Sequence, residues 1–106
     1  MSVFAFKKNP DVNRGVQEFL ATPGAVLLDV RGEDEYRAGH IPGSRNLPLP
    51  MLPALYAGLG GADTPVFVYC LSGGRSAQAV RFLQRQGFTG VKNIGGIADY
   101  KGKVER

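Results

Sequence analysis

The sequence predicts an α/β fold of three layers, in which a mainly parallel β-sheet has helices on both faces. Apolar runs typical of buried strands alternate along the chain with segments of helical spacing. Strands that are joined through helices pair in parallel with right-handed crossovers, which place the helices on both sides of the sheet. The length of 106 residues suits one compact domain spanning 1–106.

The first predicted helix begins at 9–11, where Asn, Pro and Asp favour a helix start, and ends at the Thr-Pro-Gly of 22–24. The first strand follows at 25–30, an apolar run interrupted only by Asp29, as expected for a central strand that is buried on both faces. The apolar residues of the helix recur on one face: Val12, Val16, Phe19 and Leu20.

The middle of the chain has weaker signals. A short helix is predicted over 33–38, and 52–57 can form another. The segment 42–53 holds too many prolines for long regular structure. A second strand is predicted over 66–69, directly after a proline.

The last predicted helix spans 76–86, because Ala79, Val80 and Leu83 share one face. The Gly-Phe pair that follows is typical of a C-terminal cap with its apolar contact. The last predicted strand is 91–94.

Composition and charge narrow the classes of function. Hydrophobic residues make up 43% and charged residues 21%, as in ordinary globular proteins, and no apolar stretch is long enough to span a membrane. Residues 1–8 lack the length and charge order of a signal peptide, so we expect a cytoplasmic protein without a membrane partner. The formal charge of +4 is dispersed, which indicates steering of small anions and not binding of nucleic acid.

The chain has one cysteine, Cys70, and one histidine, His40. A single thiol excludes an internal disulfide and a zinc site of several thiolates, so we expect no metal and no cofactor. It also has no second cysteine to resolve an oxidised form, so a partner molecule must remove whatever the sulfur carries.

Cys70 follows the apolar run 66–69 and opens the loop before the last helix. A lone cysteine at the end of a strand is often an inert, buried residue. Two glycines in this loop favour a reactive thiolate, because they let successive N–H groups turn towards one anion near the positive end of the helix dipole. The residues expected to bind a substrate are Leu71, Ser72, Gly73, Gly74, Arg75 and Ser76.

The loop lacks the Gly-Lys-Ser/Thr ending of nucleotide-binding loops and the spacing of dinucleotide fingerprints. No histidine base is adjacent to Cys70 in the sequence. The loop therefore predicts a cysteine that carries a negatively charged group, and both sulfane sulfur and phosphate remain open at this point.

The chain holds three motifs in order: Leu-Asp-Val-Arg at 28–31 with Gly-His-Ile-Pro-Gly-Ser at 39–44, Cys-Leu-Ser-Gly-Gly-Arg-Ser at 70–76, and Asn-Ile-Gly-Gly-Ile at 93–97. Together they resemble the signatures of rhodanese-like domains over nearly the whole chain. The resemblance implies a single-domain sulfurtransferase with the three-layer α/β/α fold of that family. In such an enzyme Cys70 takes a sulfane sulfur from thiosulfate, a persulfide or a polysulfide, becomes a persulfide, and passes the sulfur to cyanide or a thiol, including a protein thiol.

The resemblance also implies roles for individual residues. The N–H groups of 71–75 are expected to hold the thiolate and then the persulfide, while Arg75 orients and neutralises the anionic donor. Asp29 is expected to anchor the loop by hydrogen bonds. Arg31 is expected to form a structural ion pair with Glu35.

Two positions bear on how closely the chain follows the family. His40 is expected in a packed turn, with its imidazole bonded to backbone groups. Many members have a tryptophan after the final glycine pair, whereas this chain has none, and Tyr100 is expected to cover the same apolar surface.

Two other interpretations stay open. A phosphatase or arsenate reductase of related fold also binds an oxyanion with cysteine and arginine, but its loop is one residue longer and usually follows a histidine, where this chain has Tyr69. A non-catalytic sulfur-carrier or regulatory binding module is the second alternative. The presence of both Cys70 and Arg75 favours an enzyme.

Overall fold

A computed structural model describes residues 10–106. Its sheet has four strands, all parallel, in the order β2-β1-β3-β4. The predicted helix start at Asn9 and the interpretation of residues 1–8 lie outside the described part of the chain. The strands are β1 (Val26–Asp29), β2 (Ser44–Asn46), β3 (Val66–Cys70) and β4 (Val91–Gly96).

Helices cover both faces of this sheet, which confirms the three-layer α/β/α prediction. Helix α1 buries its apolar side against one face, in a cluster with Leu27, Phe67 and Ile94. The other face packs against α3 and α4 around Leu28 and Val68. The helices are α1 (Val12–Leu20), α2 (Glu33–Ala38), α3 (Leu52–Leu55) and α4 (Gly74–Arg85).

The structure differs from the sequence-based predictions at β2 and at the ends of α3, α4 and β4, and β4 continues two residues beyond the predicted end to Gly96. Strand β2 was not predicted, because its Ser-Arg-Asn sequence carries no apolar signal and its position comes from pairing with the last three residues of β1. Helix α3 ends at Leu55, where a 3₁₀ turn, Tyr56–Leu59, continues the chain. Helix α4 begins at Gly74 and not at residue 76, so the loop after Cys70 is shorter than predicted.

A β-bulge in β4 places the next element of the site. Val68 of β3 pairs with Asn93, but the following residue, Tyr69, pairs with Gly95, so Ile94 is an extra residue in β4. Gly95 has a φ of 103°, a conformation that favours glycine. The bulge lies beside the carboxyl end of β3, where Cys70 is.

Residues 10–106 contain neither a candidate membrane span nor a candidate metal site. No helix in this part of the chain is long and apolar enough to cross a membrane. Within the same residues, no group of three or more His, Cys, Asp or Glu side chains could hold a metal ion.

Candidate active site

Cys70 is the last residue of β3, and its side chain is buried, with 1% of the residue exposed. Its sulfur accepts two backbone hydrogen bonds, from the N–H of Gly73 at 3.0 Å and from the N–H of Ser76 at 3.4 Å. The N–H of Gly73 belongs to the predicted donor segment 71–75, whereas the N–H of Ser76 lies one residue beyond it. The sulfur is thus enclosed by its own loop and the first turn of α4.

Gly73 makes this enclosure possible. Its φ of 108° and ψ of −10° lie in the left-handed region, where a side chain would be strained. The turn directs the N–H of Gly73 back to the sulfur and starts α4 at the next residue. The 12-residue helix then presents the positive end of its dipole to the same sulfur.

The hydrogen bonds decide the charge state that the sulfur prefers. Burial by itself raises the pKa of the Cys70 thiol, since it disfavours the thiolate. The Ser76 hydroxyl and the N–H groups of Ser76, Gly73 and Ser72 stabilise the thiolate more strongly, so the pKa of the thiol is lowered from its ordinary value. The hydrogen bonds of the loop therefore stabilise the thiolate of Cys70 relative to its thiol.

Asn93 supports the two residues that bond the sulfur. Its side-chain oxygen accepts from the N–H of Gly95 at 2.9 Å and from the Ser76 hydroxyl at 2.7 Å. Its amide nitrogen donates to the carbonyl of Gly73 at 3.2 Å. The Ser76 hydroxyl also lies 3.4 Å from the sulfur of Cys70, so its single proton is shared between competing acceptors. Asn93 lies in the Asn-Ile-Gly-Gly-Ile motif at 93–97, but this supporting role was not predicted from the sequence.

The prediction that Glu35 forms an ion pair with Arg31 was wrong. Glu35 pairs with Arg75 through two hydrogen bonds of 2.7 and 3.0 Å, and not with Arg31. The Arg75 guanidinium, together with a bond from the N–H of Gly32, lowers the pKa of the Glu35 carboxyl to about 2. Glu35 of α2 therefore contacts the cysteine motif and balances the charge of Arg75, the one cation among residues 70–76.

Arg31 has a different partner because its side chain turns back onto its own strand end. Its guanidinium bonds the carboxylate of Asp29 at 2.7 Å and the carbonyl of Gly39 at 2.7 Å. The Asp29 carboxylate also accepts from the backbone N–H of Arg31. Within residues 10–106 this carboxylate makes no hydrogen bond to the cysteine loop, contrary to expectation. Through Arg31, which also bonds the carbonyl of Gly39, the carboxylate links the end of β1 to the end of α2.

His40 and Tyr100 occupy structural positions. Nδ1 of His40 lies 2.9 Å from the carbonyl of Tyr36, and the two rings stack with centroids 3.8 Å apart, which confirms the expected packed turn. Tyr100 packs against the apolar cluster on the α1 face of the sheet.

The mouth of the loop keeps donors for a second atom. The first N–H groups of a helix have no intrahelical acceptor, and those of Gly74 and Arg75 make no hydrogen bond to any group within residues 10–106. The Leu71 side chain is 47% exposed, and Ser72 is exposed beside it. The arrangement can hold one sulfur inside the loop and present two further N–H groups at its entrance.

Comparisons with known proteins give a consistent family. A family model described as "Rhodanese-like domain" matches residues 13–103. The thiosulfate:glutathione sulfurtransferase of Homo sapiens is 34% identical over 94 residues, which cover 76% of this chain and 82% of that protein. A solved structure of a rhodanese with anions from E. coli has a TM-score of 0.72 at 31% identity, and the match covers 77% of this chain and 98% of that chain.

Some relatives are longer than this chain. A putative sulfur carrier protein of Bacillus subtilis is 34% identical over 106 residues, covering 99% of this chain. The chain spans 52% of that protein's length and 64% of the length of a second B. subtilis relative.

The contribution of Ser76 to the sulfur's charge is testable. Replacement of Ser76 by alanine removes a hydroxyl that stabilises the thiolate, so we expect the pKa of Cys70 to rise and alkylation by iodoacetamide at neutral pH to slow several-fold. The pH dependence of the alkylation rate gives the pKa directly, since Cys70 is the only thiol. Ser72→Ala is the matched control, because it keeps the N–H of residue 72; an equal shift in both variants contradicts the assignment.

Proposed function

The chain belongs to the rhodanese-like domain family, and on that premise we propose that it acts as a sulfurtransferase with Cys70 as its nucleophile. A sulfane sulfur from thiosulfate or a related donor moves onto Cys70 and then onto cyanide or a thiol. The observation that carries the proposal is the pair of N–H groups, from Gly73 and Ser76, that bond the buried sulfur of Cys70. We further propose that residues 1–106 act as one domain, in the cytoplasm, where thiols stay reduced.

In the first step the Cys70 thiolate attacks the outer sulfur of thiosulfate. A new S–S bond forms, the S–S bond of thiosulfate breaks, and sulfite leaves with the bonding electron pair. No proton moves in this step, so no general base is required. This agrees with the site, where the His40 imidazole bonds and stacks on Tyr36 and is not among the hydrogen-bond partners of the sulfur within residues 10–106.

In the second step the acceptor attacks the outer sulfur of the persulfide. Cyanide becomes thiocyanate, or a thiolate becomes a persulfide, and Cys70 leaves as the thiolate. Negative charge therefore shifts between the inner and the outer sulfur. The N–H groups of Gly73 and Ser76 face the inner sulfur, and those of Gly74 and Arg75 are the donors left for the outer one.

The Arg75–Glu35 pair bears on the choice of donor. Both side chains are 37% exposed, so the pair lies at the entrance and not in the interior. An anionic donor meets a guanidinium whose charge is largely balanced by a carboxylate. We therefore assign Arg75 to donor binding and Glu35 to moderating the attraction of anions.

A sulfur-carrier role uses the same persulfide but delivers the sulfur to a protein thiol. One relative is named a putative sulfur carrier, and another is named for glutathione, a small thiol. Thiol acceptors are therefore preferred over cyanide as the physiological class.

Cys70 is tested by intact-protein mass spectrometry after incubation with thiosulfate and then with cyanide. We expect the wild type to gain the mass of one sulfur atom and to lose it to cyanide, because only Cys70 offers a thiol. Cys70→Ser should gain nothing while keeping its circular dichroism spectrum. A wild type that gains no sulfur from thiosulfate or polysulfide, yet hydrolyses an aryl phosphate, would favour the phosphatase interpretation.

Glu35 is tested through the thiosulfate dependence of the rate. Glu35→Gln leaves Arg75 without its balancing charge, so we expect the KM for thiosulfate to fall about threefold with little change in kcat. Arg75→Ala should raise the same KM. Glu33→Gln is the matched control, since Glu33 lies on the same helix and pairs with Arg37 instead. An equal fall in KM in this control would mean that the loss of one negative charge, and not the release of Arg75, causes the effect, which contradicts the role assigned to Glu35.

A further inference from the structure

A groove runs between helix α4 and the segment that precedes and includes α3. Its volume is about 330 Å³. One wall is apolar, and the other carries two arginines. Its apolar lining includes Leu49, Leu52, Pro53 and Phe82, and its charged lining consists of Arg81 and Arg85.

The two arginines are cations without a balancing partner. Arg81 and Arg85 are exposed and stand one helical turn apart, a spacing at which like charges repel. Neither forms an ion pair within residues 10–106, the part of the chain that contains all nine Asp and Glu residues. Helix α4 has no acidic residue of its own. An acidic partner would relieve this repulsion.

The groove begins about one helical turn beyond the cysteine loop along the same helix. Arg75, in the first turn of α4, is followed three residues later by Gln78, which lines the groove. Three residues of helix rise about 4.5 Å. A segment seated in the groove therefore ends within reach of the loop entrance.

The apolar side of the groove favours a protein segment over a nucleic acid. The ring of Phe82 packs edge-to-face on Tyr56, with centroids 5.5 Å apart and an interplanar angle of 78°. Phe82 is the one aromatic residue among those that line the groove, so the groove lacks the series of rings on which successive bases stack. Met51 and Leu55, neighbours in sequence of the groove residues Leu52 and Pro53, are apolar and 49% and 45% exposed.

We propose that this groove docks an acidic, partly apolar segment of the protein that exchanges sulfur with Cys70. Carboxylates of the segment pair with Arg81 and Arg85, and its apolar side chains fill the space between Leu49 and Phe82. Docking raises the local concentration of the partner's thiol at the loop entrance. The proposal rests on the proposed sulfurtransferase function and names the class of its acceptor or donor.

The test uses a fluorescein-labelled peptide, Cys-Gly-Leu-Glu-Glu-Leu-Glu, and a counterpart with lysine in place of glutamate. Dissociation constants are measured by fluorescence anisotropy on the full chain at low and physiological salt. We expect the acidic peptide to bind the wild type about fivefold more tightly than the double variant Arg81→Glu, Arg85→Glu, with a smaller difference at the higher salt.

The matched control is Lys101→Glu with Lys103→Glu, which changes the net charge equally. The backbone N–H of Lys101 bonds the side chain of Asn13 in α1, on the face of the sheet opposite α4. We expect this variant to bind the acidic peptide nearly as the wild type does. Equal losses in both double variants, or no preference for the acidic peptide, overturn the proposal.

Other occupants give other results. Tighter binding of a ten-nucleotide RNA than of the acidic peptide, lost on reversal of Arg81 and Arg85, assigns the groove to nucleic acid and overturns the proposal. So does a wild-type dimer in sedimentation that the same reversal converts to a monomer, since a second copy then occupies the groove.

Peptide binding is independent of the sulfur chemistry. If Cys70 forms no persulfide, the anisotropy result still stands for or against the groove, whereas the proposed function fails. If the persulfide forms, its second-order rate of transfer to the peptide thiol should fall about fivefold in the Arg81→Glu, Arg85→Glu variant. Transfer to cyanide should change no more in that variant than in the Lys101→Glu, Lys103→Glu control, because cyanide needs no docking surface and the two variants alter the net charge equally.

Discussion

Two N–H groups directed at a buried sulfur are the constraint on which the rest of the site depends. A charge on Cys70, which is 1% exposed, gains little from water and must be stabilised by the protein. Those donors exist because Gly73 adopts a left-handed conformation and α4 begins directly after it. The bulge in β4 then brings Asn93 under the same turn, where it holds both Gly73 and Ser76. Strand, loop and bulge thus serve one atom.

Hydrogen bonds from the Ser76 hydroxyl and from backbone N–H groups, and not side-chain cations, lower the pKa of the Cys70 thiol. The two arginines within the motifs are each balanced by a carboxylate, Arg31 by Asp29 and Arg75 by Glu35. The first pair is buried and joins β1 to the end of α2, while the second is half-exposed at the loop entrance. Removal of either carboxylate therefore has different consequences: a buried unpaired charge in one case, and a freed anion-binding group in the other.

The sequence allowed most of the fold to be predicted, because the strands at the centre of the sheet and the two long helices carry strong apolar patterns. Strand β2 escaped prediction since three polar residues at a sheet edge have no pattern of their own. The loop around Cys70 was predictable from its glycines. The partners of Glu35 and Asp29 were not, because two long arginine side chains compete for each carboxylate and only the packing of α2 against the loop decides between them.

The most direct measurement is a crystal structure of the protein after exposure to thiosulfate. We expect one additional sulfur atom bonded to Sγ of Cys70, with the N–H groups of Gly74 and Arg75 about 3.0–3.5 Å from it and the N–H of Gly73 still bonded to the inner sulfur. A Cys70 that stays unmodified, or an added sulfur that points away from these donors, contradicts the claim that the loop is built to carry a persulfide.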